Sequence, residues 1–187
     1  MNKKFAKLLA DGENVTITCP KGTRLELRIA GRLPKVENCS LSREEPWFQL
    51  PGGEVCIAPL ENSCEGTAIF SGKAIGLPED VEIFFENGKT KKIDSQLDEK
   101  ILSLLASSLG VPGETMGELG IGTNPGAKPI PTGPILEKAL GTIHLGMGDN
   151  TQFGGKHESN THNDLIIEKP TLVVDNRVII ENGEPKI

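Results

Sequence analysis

Five side chains that could bind a metal ion lie in four short segments of this 187-residue chain. The segments read GGEVCIAP from residue 52, GELGIG from 117, GTIHLGMG from 141 and THNDLII from 161. The candidate ligands within them are Glu54, Glu118, His144, His162 and Asp164. Ionised carboxylates and neutral imidazoles are ligands that divalent first-row metals use in proteins. These residue types therefore predict a divalent-metal site.

The segments that must position these ligands have the alternating pattern of β-strands. Because side chains on a strand point alternately to opposite faces, His144 points away from Ile143 and Leu145. For the same reason His162 and Asp164, which are two residues apart, share a face. The neighbours of these ligands on the same face of a strand are often glycine or alanine, which leaves room for ions and substrate. A hydrolytic centre with two metal ions about 3.5 to 4 Å apart would need a bridging carboxylate, and these ligands would suffice for it.

Most of the remaining sequence is also of strand type. In NVTITC and TRLELRI apolar and polar residues alternate, and the turn PKGT lies between the two segments, which predicts a hairpin. Asn87-Gly88 lies between VEIFFE and KTKKI and predicts a second hairpin with a type I′ turn. HNDLII, TLVVD and RVIIENG predict further strands near the end of the chain.

Two segments have helical periodicity. Residues 2–10 predict a short helix, and residues 95–109 predict a longer one with Ser95 as its N-cap. We expect the longer helix to cover a sheet. The fold class is therefore expected to be α+β, with a mixed, mainly antiparallel β-sheet or barrel-like core and one main covering helix. The length favours a single metal-binding domain over residues 1–187.

Composition excludes several classes of partner. Lys and Arg number 20 against 26 acidic residues, which gives a net charge of −6 without a basic cluster, so we expect no nucleic-acid partner. No apolar run approaches the roughly 20 residues that cross a bilayer, and the N-terminus does not resemble a secretion signal. We therefore expect no membrane partner and a cytoplasmic location.

Other residues with reactive side chains are given structural roles. The cysteines lack the CxxC spacing of a zinc site and are expected to be small, mostly buried residues: Cys19, Cys39, Cys56 and Cys64. His157 is expected to be an exposed loop residue. Asp149 and Asn150 follow a glycine and are expected to form a turn.

The amino-acid sequences of the metal-ligand segments resemble those of the aminopeptidase T family of metallopeptidases. The matching motifs are LPGGEVCIAP, ELGIGTNPG, EKALGTIHLGMGDNTQFGG and THND, in that order over residues 50–165. The resemblance implies a cytoplasmic hydrolase in which two zinc, cobalt or manganese ions activate a water to remove the N-terminal residue of a short peptide. It also implies the same ligands as the strand pattern, together with Glu137 in LEKALGTIH as a further acidic ligand. One of Glu54 and Glu118 would bridge or bind the metals, and the other would act as general base.

Three departures from the family bear on catalysis. The family has a tyrosine about seven residues after its central histidine, suited to stabilising an oxyanion. This chain has no tyrosine, and Thr151 stands at that distance. The loop between His144 and His162 is short, so the cleft wall that it forms is expected to differ. The family's N-terminal domain is expected to be absent, and an uncovered surface leads us to expect a homodimer.

A second resemblance leaves another reaction class open. The 2,5-dihydroxypyridine dioxygenases, a branch similar to these peptidases, use one ferrous ion held by two histidines and an aspartate. His144, His162 and Asp164 would supply that triad. The missing tyrosine favours this alternative, whereas the additional glutamates favour the peptidase. A metal-binding module without catalysis is the third hypothesis.

Overall fold

A computed structural model describes residues 1–39, 50–127 and 133–187. The helices are α1 (Asn2–Asp11), α2 (Glu99–Ser108) and α3 (Gly133–Leu136), and 3₁₀ turns lie at Gly72–Ile75 and Thr151–Phe153. The strands are β1 (Asn14–Thr18), β2 (Arg24–Arg28), β3 (Lys35–Glu37), β4 (Glu54–Ile57), β5 (Glu65–Phe70), β6 (Val81–Glu86), β7 (Lys89–Asp94), β8 (Met116–Gly122), β9 (Thr142–Gly148), β10 (His162–Glu168), β11 (Thr171–Val174), β12 (Arg177–Glu181) and β13 (Glu184–Pro185).

The strands form two antiparallel sheets. The larger sheet has the order β13-β12-β11-β1-β2-β5-β6-β7, and the smaller sheet has the order β10-β9-β8-β4-β3. Over the described ranges neither sheet closes into a barrel. The α+β class with a mainly antiparallel sheet is therefore confirmed, and the barrel-like form of that prediction is not.

Both predicted hairpins are present. β1 pairs antiparallel with β2, as the alternation around PKGT predicts. β6 pairs antiparallel with β7 across Asn87 and Gly88, whose φ angles are 52° and 73°. Positive φ at both central residues is what a type I′ turn requires, and asparagine and glycine tolerate it best.

The main core contains the inner faces of both sheets. In the smaller sheet, fully buried apolar residues alternate with the ligand positions, among them Val55, Ile57, Leu119, Ile121, Ile143, Leu145 and Ile167. Phe5 and Leu9 of α1 are fully buried in the same core. The smaller sheet thus has one apolar face in the core and a second face that is available for polar side chains.

The longer predicted helix covers the sheet less than expected. α2 begins at Glu99, and its N-cap is Asp98, whose carboxylate accepts a hydrogen bond from the Lys100 backbone N–H at 3.0 Å. The predicted N-cap, Ser95, instead donates its hydroxyl to the Asp80 carbonyl oxygen. Leu104 is 66% exposed, and no residue of α2 is fully buried. The predicted helix is therefore present, but the helical side chains that are buried deeply in the core belong to α1.

Among the described helices, none combines the length and the apolar character needed to span a bilayer.

Candidate metal centre

The predicted ligands share the polar face of the smaller sheet. Antiparallel register places each of them beside a glycine of a neighbouring strand. The pairs are Glu54 with Gly122, Glu118 with Gly146, His144 with Gly120, His162 with Gly148 and Asp164 with Gly146. Directly opposed side chains in a sheet lie within about 5.5 Å of each other, so a larger residue at these glycines would fill the space between the ligands.

At two of these glycines a ligand side chain approaches too closely for any other residue. A Cβ added to Gly120 would lie 2.0 Å from Nε2 of His144. A Cβ added to Gly146 would lie 2.7 Å from Nε2 of His162 and 2.9 Å from Oδ1 of Asp164. Each imidazole therefore lies across the backbone of a neighbouring strand, where only glycine leaves enough room.

Glu118 lies at the centre of the ligand group. Its Oε2 is 2.8 Å from Nε2 of His162, and its Oε1 is 3.4 Å from Nε2 of His144. Asp164 Oδ1 is 3.2 Å from Nε2 of His162. Ligand atoms of Glu118, His144 and Asp164 all lie within 4.8 Å of one another. Side chains from β8, β9 and β10 thus converge on one small volume.

The acidic and imidazole groups at this site shift one another's pKa. Burial disfavours ionisation of Glu118, but contacts with His144 and His162 outweigh it and lower the pKa of Glu118 to about 2. Burial also acts to lower the pKa of His144, yet contact with Glu118 raises it to about 10. The pKa of His162 is raised to about 11 against the effect of burial, through contacts with Asp164 and Glu118. The carboxylates therefore favour positive charge among them, as imidazole protons or as a bound metal ion.

Several details fit a metal ion. Nδ1 of His162 donates to the Asp149 carbonyl oxygen at 2.8 Å, which orients the ring and directs Nε2 into the group. Glu54 Oε2 and Asp164 Oδ1 are buried atoms that accept no hydrogen bond of good geometry from the part of the chain that the structure describes, although Asp164 Oδ1 lies 3.2 Å from Nε2 of His162. Buried acceptors normally have a partner, so these two oxygens have the capacity to bind a cation. The donor set of imidazoles and carboxylates suits a divalent first-row ion.

Glu54 and Glu137 contact a lysine that the sequence analysis did not select. Nζ of Lys138 forms a short ion pair with Oε1 of Glu54 and lies 3.2 Å from Oε1 of Glu137. The other oxygen of Glu54, Oε2, is 3.6 Å from Nε2 of His144. Burial raises the pKa of Glu54 to about 7, although His144 and Lys138 oppose the rise. Glu54 thus lies between the imidazole group and Lys138, and Glu137 lies on the lysine side.

The remaining candidates lie outside the ligand group. Thr151 is exposed, and its hydroxyl donates to Oδ1 of Asp149 at 2.8 Å. His157 is half-buried rather than exposed as expected, because its Nε2 lies 2.8 Å from Oε1 of Glu114, a residue just before β8. Cys56 is buried, and its sulfur shares a 4.8 Å group with carboxylate oxygens of Glu54 and Glu118. Burial raises the pKa of the Cys56 thiol, which keeps it protonated.

Sequence reasoning missed two residues at this site. Lys138 follows Glu137 within the mainly apolar stretch ILEKAL, and a charged pair in such a stretch was the available signal. Phe153 lies with its ring centroid 5.3 Å from that of His162. Nothing in the local sequence distinguishes Phe153 from other apolar residues, because its position depends on the 3₁₀ turn that follows Asn150.

Comparison with known proteins identifies a different family from the one expected. The sequence model of the NicX family, 2,5-dihydroxypyridine 5,6-dioxygenase, matches residues 2–186. No curated protein sequence matches the chain. Among solved structures, 2,5-dihydroxypyridine dioxygenase from Pseudomonas putida KT2440 superposes with a TM-score of 0.83 at 18% identity, over 98% of this chain and 58% of that protein. Wild-type AmpT from Thermus thermophilus gives a TM-score of 0.70 at 19% identity, over 99% of this chain and 53% of that protein.

These matches correct the functional assignment. Assignment to the aminopeptidase T family is wrong, because the family model that spans the chain describes dioxygenases and the AmpT likeness is one of fold. The predicted aminopeptidase, hydrolase and metalloprotease function is wrong for the same reason. The oxyanion role given to Thr151 was tied to that function and is dropped with it. A metal cofactor agrees with the dioxygenase match and with the clustered ligands, whereas a pair of zinc, cobalt or manganese ions has no such support.

Proposed function

The chain belongs to the 2,5-dihydroxypyridine 5,6-dioxygenase family, and from that premise we propose that it binds one ferrous ion and opens a dihydroxylated pyridine ring with molecular oxygen. The observation that carries the proposal is the convergence of two imidazoles and a carboxylate pair on one face of the smaller sheet. The chain spans 58% of the length of the matched dioxygenase, so its activity and substrate are part of the proposal.

His144, His162 and Asp164 are the proposed iron ligands. Two histidines and one carboxylate with open positions are the ligand set of non-haem Fe(II) oxygenases. His162 and Asp164 already lie 3.2 Å apart on one strand, and His144 reaches the same group from the adjacent strand. Glu118 lies between the imidazoles, and its buried negative charge favours the binding of a divalent cation beside it.

The proposed reaction inserts both atoms of molecular oxygen across the C5–C6 bond of the ring. Bound iron would supply the redox chemistry that lets oxygen react with the ring. The hydroxyl-bearing C5 becomes a carboxylic acid and C6 becomes a formyl group on the ring nitrogen, so the two added oxygen atoms balance without another reductant. The protein residues then have to hold the ring, take up a hydroxyl proton and exclude water from the ring.

Glu54 and Phe153 are placed for two of these tasks. Glu54 Oε2 is buried beside His144 without a hydrogen bond from the described residues, and its pKa of about 7 suits uptake of a substrate hydroxyl proton. The Phe153 ring, tilted 38° to that of His162, offers an aromatic face beside the ligand group. Offset stacking against such a face is a common way to hold a planar ring.

Anaerobic loading with Fe(II) followed by 2,5-dihydroxypyridine and oxygen tests this function. We expect loss of the ring's ultraviolet absorbance with uptake of about one oxygen molecule per ring opened, and loss of turnover in Asp164→Ala because a triad ligand is removed. Glu26→Gln, which changes an exposed glutamate of β2, is the matched control and should retain turnover. An iron-loaded chain that consumes neither ring nor oxygen would contradict the proposed function.

A further inference from the structure

We propose that the ammonium group of Lys138 takes the place of a second metal ion and restricts this centre to one divalent ion. This inference rests on the proposed mononuclear centre, and it assigns a metal-stoichiometry role to a residue outside the ligand group. The buried contacts of Lys138, the two-sided position of Glu54 and the charge of the surrounding carboxylates support it.

Lys138 is held at the end of a buried acidic cluster. Its side chain is 4% exposed, and Nζ contacts Oε1 of Glu54, Oε1 of Glu137 at 3.2 Å and Oε2 of Glu37 at 3.5 Å. Its carbonyl oxygen accepts a hydrogen bond from the Asn124 backbone N–H at 2.9 Å, which fixes the backbone at this point. Three carboxylates around one buried cation resemble the oxygen environment that a divalent ion would need.

Glu54 connects this ammonium to the ligand group. Oε1 of Glu54 is paired with Lys138, whereas Oε2 is a buried atom 3.6 Å from Nε2 of His144. In a two-metal site a carboxylate bridges two cations about 3.5 to 4 Å apart. Here the same kind of carboxylate reaches an ammonium on one side and the ligand group on the other.

A second divalent ion would compete with Lys138 for the same oxygens. Nζ already contacts Glu54 and Glu137, and a metal ion placed between them would lie against a positive charge with little water to screen it. Buried carboxylates without a cation are unfavourable, so removal of the ammonium leaves uncompensated negative charge and an empty volume that a second ion can occupy. Lys138 thus explains why a chain with additional buried glutamates can hold one ion rather than two.

Metal stoichiometry in the full chain tests this role with Mn²⁺ as the probe. Wild-type chain, Lys138→Met and the control Lys92→Met, whose side chain is 64% exposed, are saturated with Mn²⁺, freed of excess ion and analysed for metal content and electron paramagnetic resonance. We expect bound manganese to rise from about one ion per chain in the wild type and Lys92→Met to about two in Lys138→Met, with the spectrum of a coupled pair. Lys138→Arg retains the cation and should stay near one ion.

Two results would overturn the inference. They are a wild-type chain that binds two ions, and a folded Lys138→Met chain that still binds one. If Lys138→Met does not fold without metal, it is refolded in the presence of Mn²⁺ before its metal content is measured. A chain that still does not fold, or that folds without a coupled pair of ions, would also overturn the inference. A wild-type chain that binds one ion but opens no ring would remove the proposed function and leave this inference intact.

Discussion

At the scale of single residues, Glu118 determines the electrostatics of the centre. It is buried, and its two oxygens contact different imidazoles, so its charge acts on both proposed histidine ligands at once. Both contacts are to Nε2, the ring nitrogen that faces the proposed metal position, so Glu118 lies beside that position and its negative charge favours a cation there. Glu118 should therefore contribute to metal affinity whether or not it binds the ion directly.

Glu118→Gln keeps the size of the side chain and removes its charge. We expect the affinity for Mn²⁺ to fall by at least about 10- to 100-fold, the loss typical of removing even an outer-shell carboxylate, because Glu118 lies within the ligand group itself. Isothermal titration calorimetry on the wild type and the variant measures the change. Glu26→Gln serves as the control, and equal affinities in all three proteins would show that Glu118 has no part in metal binding.

Strand alternation was sufficient to select the residues that converge here. Glu118 and His144 were identified because each alternates with apolar residues that the structure buries in the core. Lys138 could not be identified in the same way, since it lies between α3 and β9, outside any alternating segment. Two of its three carboxylate partners, Glu37 and Glu54, are distant in sequence, and only the pairing of β3 with β4 brings them together.

At the scale of elements, the register of β8 against β9 leaves room for the ligand group. Gly120 is paired with His144, so the imidazole lies over a backbone position without a side chain. A shift of one residue in this register would place the ligands on the apolar face and Leu119 or Ile121 on the polar face. Glycine at this position is thus part of the site although it offers no ligand atom.

Gly120→Ala tests the contribution of this register. Its Cβ would lie 2.0 Å from the His144 ring, so we expect the imidazole to be displaced and Mn²⁺ binding to fall by about tenfold or more. Metal titration checks the loss, and circular dichroism checks that the sheets remain. Gly126→Ala, where the nearest atom is the Asn124 side chain at 3.2 Å, is the matched control. Unchanged binding in Gly120→Ala would place His144 outside the centre.

The helices show where periodicity alone is insufficient. The apolar stripe over residues 95–109 predicted a covering helix, yet Ile101 and Leu104 are 43% and 66% exposed. The short α1 has fewer apolar residues, but Phe5 and Leu9 are fully buried. A stripe shows which face of a helix is apolar, whereas the packing partner depends on where the chain places the helix relative to the sheets.

At the scale of the whole molecule, strand pairing between distant segments could not be predicted. Both hairpins follow from local turn sequences, but β1 also pairs with β11, and β4 pairs with β8. Most of the chain separates β1 from β11, and three strands and α2 separate β4 from β8. No local pattern specifies these pairings, so the division into two sheets emerged only from the structure. The homodimer expected from the sequence stays a prediction.

Metal binding should stabilise the whole chain. An ion that binds the folded state alone at 100 times its Kd adds about 2.7 kcal/mol to the free energy of unfolding. For a chain of this size that corresponds to a rise in Tm of about 5 to 10 °C. Differential scanning calorimetry with and without Mn²⁺ measures the shift, and EDTA should reverse it. An unchanged Tm in a chain shown to bind the ion would mean that the unfolded state binds it equally well.

The position of β10 has a consequence for how the ion enters. His162 and Asp164 lie on this strand, which has only β9 as a strand partner in the described sheet. Separating an end strand breaks one ladder of hydrogen bonds, whereas freeing β8 or β9 would break two. We therefore expect the ion to enter the folded chain at this end of the smaller sheet, where the side chains of His162 and Asp164 are 26% and 25% exposed, while the larger sheet stays closed.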